Sequence, residues 1–388
     1  MKDFKEKTLD LHKKNQGKLD VLPNVSLDTI EDMNMAYTPG VALPCLEIHK
    51  DIEKAYDYTL KGKTVAIVTD GSAVLGLGNI GPEAALPVME GKSALLYKYS
   101  KIQAFPICVK TNSPDEIIET CLRIAPTFSA IMLEDIKAPE CVYIENILQD
   151  KLDIPVFHDD QHGTAIVVGA ALKNASRYLN KDFRDLKIII SGTGAAGNAI
   201  IKLLKFAGVK EIYAYNRSGV VNSLKYNEYN DVLKELVDKN LVISPEKNVD
   251  SLEKLIKGKD VFIGVSAKDI LTKEMVKSMS DTKIVFALAN PDPEIKPPLA
   301  IEAGVQIIGT GRSDYPNQIN NVLVFPGLMK GVLESRAKTI TYNMKLTAMN
   351  ALASLVSDEE LSNEYILPSI FNKAVPTVIA EAIKSTKK

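Results

Sequence analysis

Residues 187–197, Lys-Ile-Ile-Ile-Ser followed by Gly192-Thr193-Gly194-Ala195-Ala196-Gly197, constrain the fold more than any other stretch of this chain. The apolar, β-branched run reads as a buried strand, and residues 198–207 continue it directly with helical spacing. Gly208 stops that helix, and Glu211-Ile-Tyr-Ala-Tyr215 supplies the next strand. This is a complete βαβ unit around G-x-G-x-x-G. The first glycine permits the tight turn, the second lets a pyrophosphate approach the backbone, and the third lets helix and strand pack closely. The helix N-terminus then offers free N–H groups and a positive dipole end to phosphate. A tight βα turn without a ligand is the plain alternative; the flanking strand and helix favour a dinucleotide held by residues 192–197.

The end of the second strand bears on which dinucleotide. An acid there would hold a ribose 2′-hydroxyl, as in NAD sites. This chain has Asn216-Arg217-Ser218, one of only six arginines it carries. A guanidinium beside a hydroxyl suits a 2′-phosphate, so the reading is NADP over NAD; the bland reading of Arg217 is a solvated turn residue. A second glycine pattern, Gly76-Leu-Gly78-Asn-Ile-Gly81, is separated from its strand by residues 70–75 and followed by Pro82. It reads as a flexible loop lining a substrate cleft rather than a nucleotide turn.

Upstream, strands are expected at residues 64–69, 103–110, 130–133 and 154–157, alternating with helices at 83–98, interrupted by Pro87 and Gly91, and at 115–125. That alternation implies a parallel sheet. Polar residues gather where the strands end, the edge at which open α/β sheets bind ligands. Two acidic pairs stand there, Glu134-Asp135 and Asp159-Asp160. Four converging carboxylates are unfavourable unless a cation compensates or some stay protonated. All-oxygen ligation suits Mg²⁺ or Mn²⁺. Neighbours on a regular strand point to opposite faces, so Glu134 and Asp135 can share one ion only if the chain turns between them. Helix caps and solvated loop acids are the bland reading. His158 and His162 form H-x-x-x-H, but Asp where zinc proteases carry Glu, and Gly163 directly after, argue against a zinc hydrolase.

A long apolar helix from Gly163 to about residue 180 links the two α/β units, and residues 320–388 read as mostly helical, without a sheet, packing back on the body. The expected division is an N-terminal α/β substrate and metal domain (1–160), a Rossmann-type dinucleotide domain (161–319) and a helical C-terminal segment (320–388). Net charge is only −2, so no global field favours nucleic acid or anionic lipid. No apolar run approaches the ~18 residues of a membrane span, and the first residues lack the apolar core of a secretory signal. The cytoplasm is the default compartment. Four isolated cysteines without a C-x-x-C pair read as packing residues. Tyr37, Lys92, Asn290 and Asn320 are, one at a time, unremarkable: a packed tyrosine, a surface lysine, and loop amides able to hold a carboxylate or a carboxamide.

Taken together the motifs resemble the malic enzymes, in their small microbial form, from about residue 15 to about residue 385. They are Ala36-Tyr37-Thr-Pro-Gly, Thr69-Asp-Gly with Leu75-Gly-Leu-Gly-Asn-Ile-Gly81, Glu90-Gly-Lys92, Leu133-Glu-Asp135, Phe157-His-Asp-Asp-Gln-His-Gly-Thr164, the Rossmann glycines, Asn290-Pro and Asn320-Asn321. The resemblance implies oxidative decarboxylation of L-malate to pyruvate and CO₂ with NADP⁺ or NAD⁺ and a divalent cation. By motif, Tyr37 and Lys92 match the acid and base, Glu134, Asp135 and Asp160 the metal ligands, Asp159 a carboxylate near the lysine, and Asn290 and Asn320 substrate contacts. It also implies at least a homodimer, with the first domain as interface. One departure is clear: where the large animal-type members carry an arginine that holds a substrate carboxylate, this chain has Gly71-Ser72-Ala73. Two other readings fit a substrate domain joined to a Rossmann domain: a metal-independent amino-acid dehydrogenase, and a protein that senses NADP(H) without turnover.

Overall fold

A computed structural model describes residues 3–74 and 76–386 of the chain. The N-terminal region is four helices, α1 (Phe4–Asn15), α2 (Ile30–Ala36), α3 (Ala42–Lys50) and the single turn α4 (Ala55–Tyr58). Thr29 and Asp32 close a reciprocal capping box at the start of α2. None of the four helices buries a residue.

The first sheet holds β1 (Thr64–Thr69), β2 (Gln103–Cys108), β3 (Ala130–Leu133) and β4 (Val156–His158) in the order β2-β1-β3-β4, all parallel. Its crossovers are α5 (Pro82–Ser100), α6 (Pro114–Ile124) and α7 (Glu140–Lys151). Every residue of β1 is buried, as expected of a parallel strand covered on both faces. Helix α5 runs unbroken through Pro87 and Gly91, where the sequence suggested interruptions.

Helix α8 (Asp159–Tyr178) leaves β4 without an intervening loop. The second sheet follows: β5 (Lys187–Ser191), β6 (Glu211–Asn216), β7 (Gly219–Val220), β8 (Val261–Gly264), β9 (Ile284–Ala287) and β10 (Ile307–Thr310), ordered β10-β9-β8-β5-β6-β7. Only the β6–β7 pairing is antiparallel. Its helices are α9 (Ala195–Phe206), α10 (Asp231–Asp238), and the short α11 (Leu252–Leu255), α12 (Lys273–Lys277) and α13 (Pro297–Glu302). The strand order reverses at β5, which places the glycine turn at the topological switch point.

Three closing helices, α14 (Phe325–Glu334), α15 (Tyr342–Ala353) and α16 (Ala374–Ser385), do pack back on the body: α14 lies on α5 and α16, and α15 on α8. One continuous apolar cluster includes Val65 and Ile67 of the first sheet, Ile166, Val168 and Leu172 of α8, Ile188 and Ile190 of the second sheet, and Leu328 and Met349 of the closing helices. Helix α8 is therefore the common spine of both sheets. Among the described residues no helix is long and apolar enough to cross a membrane. The cysteines divide: Cys121 and Cys141 are buried as expected, Cys108 is half-buried, and Cys45 is exposed.

Candidate active site

Strand β3 ends at Leu133, and the next two residues are Glu134 and Asp135. Asp135 has a left-handed backbone, φ +52°. This is the turn that the two acids need in order to face one point. Across from them, β4 passes into α8, so Asp159 and Asp160 occupy the first helical turn, where the dipole favours negative charge. Carboxylate oxygens of Glu134, Asp135 and Asp160 lie within 4.8 Å of one another. The Asp135 amide donates to Asp160 Oδ2 at 2.9 Å, which locks the two strand ends together.

Lys92, from the middle of α5, enters this cluster from the side. It is 8% exposed. Its ammonium donates to Asp159 Oδ2 at 2.6 Å and to Glu134 Oε1, and it stands 4.9 Å from the Phe325 ring centre. Burial pulls its pKa down, but Asp159, Glu134 and Asp160 outweigh burial and hold the group protonated. Burial, then Asp160, raise Glu134 well above the ordinary carboxylate range, against the pull of Lys92. Glu134 Oε2 and Asp159 Oδ1 are buried with no hydrogen-bond partner among the described residues. Unpartnered, desolvated oxygens beside a three-carboxylate focus fit a hard divalent cation. Asp159 fits only because Gly163 has no side chain: a Cβ there would stand 1.9 Å from Asp159 Oδ1.

The remaining candidates come from other parts of the fold. Asn290 follows β9 and donates to the Leu288 carbonyl at 3.3 Å. Asn320 caps the turn 321–323, accepting from the Val322 amide at 3.0 Å. Gly76 faces the Asn290–Pro291 segment, which brings the upstream glycine loop against the segment after β9. Tyr37 ends α2 with its side chain 68% exposed. The glycine turn opens on a cavity of about 1000 Å³, lined by residues that include Thr193, Arg217, Ser218, Tyr229 and Ser266, with Ala138 and Pro139 from beyond Asp135. A Cβ at Gly197 would stand 1.8 Å from the Gly192 carbonyl oxygen, whereas one at Gly194 would meet nothing. The third glycine thus serves packing, and the second keeps the cavity side open. Asn216 Nδ2 donates to Thr193 Oγ1 at 3.1 Å, tying the end of β6 to the glycine turn.

Sequence reasoning passed over Glu145 and Lys345 and weighed His162 only as a zinc ligand. The three form a buried group next to the acids. His162 Nε2 lies 2.9 Å from both Glu145 oxygens, and Lys345 Nζ lies 3.0 Å from His162 Nδ1. Burial would raise Glu145, but His162 and Lys345 bring it to about 2; burial lowers Lys345 to about 8. The available signal was a charged residue on each apolar stripe, Glu145 among Cys141, Ile144 and Leu148, and Lys345 among Met344, Ala348 and Met349. Burial also lowers His162 from 6.5 to about 4. The unfolded chain binds that proton below pH 6.5 and the folded chain only near pH 4, so the stabilisation is full above 6.5 and is lost as pH falls toward 4. Unfolding free energies from urea titration are expected to drop over this interval, by up to about 3 kcal/mol from this group. His162→Gln should flatten that slope; an unchanged slope assigns the acid sensitivity elsewhere.

Comparison with known proteins closes the question of ancestry. The family model "Malic enzyme, NAD binding domain" matches residues 161–386, and "Malic enzyme, N-terminal domain" matches residues 16–114. The chain is 51% identical over 380 residues to the bifunctional malic/malolactic enzyme of Bacillus subtilis, covering 98% of this chain and 92% of that protein. It is 49% identical over 367 residues to the NAD-dependent malic enzyme of Geobacillus stearothermophilus, covering 95% and 76%. Among solved structures, the NAD-dependent malic enzyme of Thermotoga maritima superposes with a TM-score of 0.93 at 44% identity, with 99% of both chains covered. Matched models over both halves and relatives aligned nearly end to end leave one conclusion: this chain belongs to the malic enzyme family.

Proposed function

We propose that this protein oxidises and decarboxylates L-malate to pyruvate and CO₂, with NADP⁺ as preferred acceptor and Mg²⁺ or Mn²⁺ bound by Glu134, Asp135 and Asp160. The observation that carries the reading is Lys92, buried against Asp159 and Glu134 at the edge of a three-carboxylate focus. The bound groups supply oxidising capacity at malate C2 from the nicotinamide and Lewis acidity from the cation. The chain's own residues do the rest. Lys92 takes the C2 hydroxyl proton, which requires its neutral form; a cation among the acids offsets Glu134 and Asp160, two of the three carboxylates that hold its proton. Asp159 keeps the Nζ aimed. Asn290 and Asn320 are the proposed substrate contacts. After C4 leaves as CO₂, C3 needs a proton, and Tyr37 is the proposed donor. An amino-acid dehydrogenase or a non-catalytic sensor has no use for the acidic focus beside a buried lysine. Malate, Mn²⁺ and either dinucleotide should yield reduced nicotinamide and pyruvate in equal amounts; metal-independent reduction, or none with either acceptor, overturns the proposal.

The preference for NADP rests on Arg217 and Ser218 at the cavity wall. Arg217→Ala is expected to raise the NADP⁺ KM about tenfold or more, the scale of one lost charge-assisted contact, and to leave the NAD⁺ KM within about twofold. Equal effects on both would remove Arg217 as the residue that selects NADP⁺. We also retain the division at 160/161 and 319/320, a cytoplasmic setting and a homodimer built on the N-terminal region. Phe4, Leu22, Ile30 and Leu43 there are 69–86% exposed, an apolar surface of the kind that partners cover. Sedimentation at the 42.5 kDa monomer mass would remove the dimer.

A further inference from the structure

We propose that Glu145 is a positioning residue for the reacting edge: it fixes segment 158–162, and with it Asp159 and Asp160, while His162 ties the same anchor to Lys345 in the closing helices. The inference rests on the metal-site reading above.

Helix α8 begins without a side-chain cap of its own; His158, at the capping position, makes no such bond. The start of a helix leaves amides without intrahelical partners. Here a carboxylate from another helix takes over. Glu145 of α7 accepts from the His158 amide at 3.1 Å, from Gln161 Nε2 at 3.0 Å and from His162 Nε2 at 2.9 Å. The three donors bracket Asp159 and Asp160. Glu145 is 3% exposed and Lys345 5%, so water competes with neither. In the neutral histidine tautomer with Nε2–H, that group donates to Glu145, while Lys345 Nζ lies against the same ring, 3.0 Å from Nδ1 and 3.2 Å from Nε2. Lys345 lies on α15, which packs along α8. The buried charges of Glu145 and Lys345 thus compensate each other at the imidazole. Outer contacts of this kind orient a ligand set, and their loss typically costs 10–100-fold in metal affinity.

The test is Mn²⁺ binding to the full-length protein without substrate, read from the electron paramagnetic resonance of free Mn²⁺. NADP⁺ binding by calorimetry is the control, since the chain has no tryptophan to report it. Glu145→Ala is expected to raise the Mn²⁺ Kd at least tenfold and to leave the NADP⁺ Kd within about twofold. Glu145→Gln keeps acceptor and donor positions that a turned Gln161 amide can match, and should stay within about threefold of the parent Kd. A folded Glu145→Ala protein with parental Mn²⁺ affinity overturns the inference, as does equal weakening of Mn²⁺ and NADP⁺, which marks a general loss of structure. Should Glu145→Ala not fold, Gln161→Leu removes one of the three donors and is expected to raise the Mn²⁺ Kd about threefold or more; no change overturns the inference. A parent protein that binds no Mn²⁺ removes the metal reading itself, a distinct outcome.

Discussion

Lys92→Ala is expected to lower kcat for malate oxidation by about 10²–10⁴, the usual contribution of a positioned general base, while oxaloacetate decarboxylation with Mn²⁺ is partly retained. The difference follows from where the proton sits. Malate must lose its C2 hydroxyl proton; oxaloacetate has none to lose. The same substitution leaves Asp159 and Glu134 buried without their ammonium, and breaking such a pair typically costs about 3–5 kcal/mol. Both carboxyls already have pKa values raised first by burial, so protonation absorbs part of that cost. The variant should therefore melt at a lower temperature yet stay folded at neutral pH. Parental malate turnover in a folded Lys92→Ala protein removes this residue from the reaction. Loss of both activities together would place its role in building the site.

The second large effect is expected from Asp135→Asn. Asparagine tolerates the left-handed backbone at this position as well as aspartate does, so the turn survives while one charge leaves the focus. The Mn²⁺ concentration for half-maximal activity should rise about a hundredfold or more, the upper end of what a supporting residue costs. A chelator should abolish the parent activity, with excess Mn²⁺ restoring it. Unchanged metal dependence in Asp135→Asn means that the ion, if bound, is held elsewhere.

How much of this could be read in advance depended on how local the cause was. The β1 and β3 bounds and the glycine turn were legible because apolar runs and glycines act within a few residues. The acid pairs were legible because strand ends are where ligands gather. The apolar run marks α8 only from Gly163, because the polar stretch before it hides the first turn; in the fold the helix starts four residues earlier, and the bare Cα of Gly163 makes room for Asp159 Oδ1. Pro87 and Gly91 looked like breaks in α5, yet packing against β2 and α14 carries the helix through both. The Glu145, His162 and Lys345 group was not legible, since it joins residues separated by 17 and 183 positions. Only the fold makes them neighbours.

Asp135 also makes the spelling of its dipeptide directional. Exchanging the neighbours, to aspartate at 134 and glutamate at 135, preserves composition and formal charge. It nevertheless asks the longer side chain to take the inverted backbone, φ +52°, that suits the shorter one. It also asks the shorter one to span the gap to Lys92 that Glu134 bridges. The two acids are not synonyms, and their reading direction is written by the chain reversal beneath them.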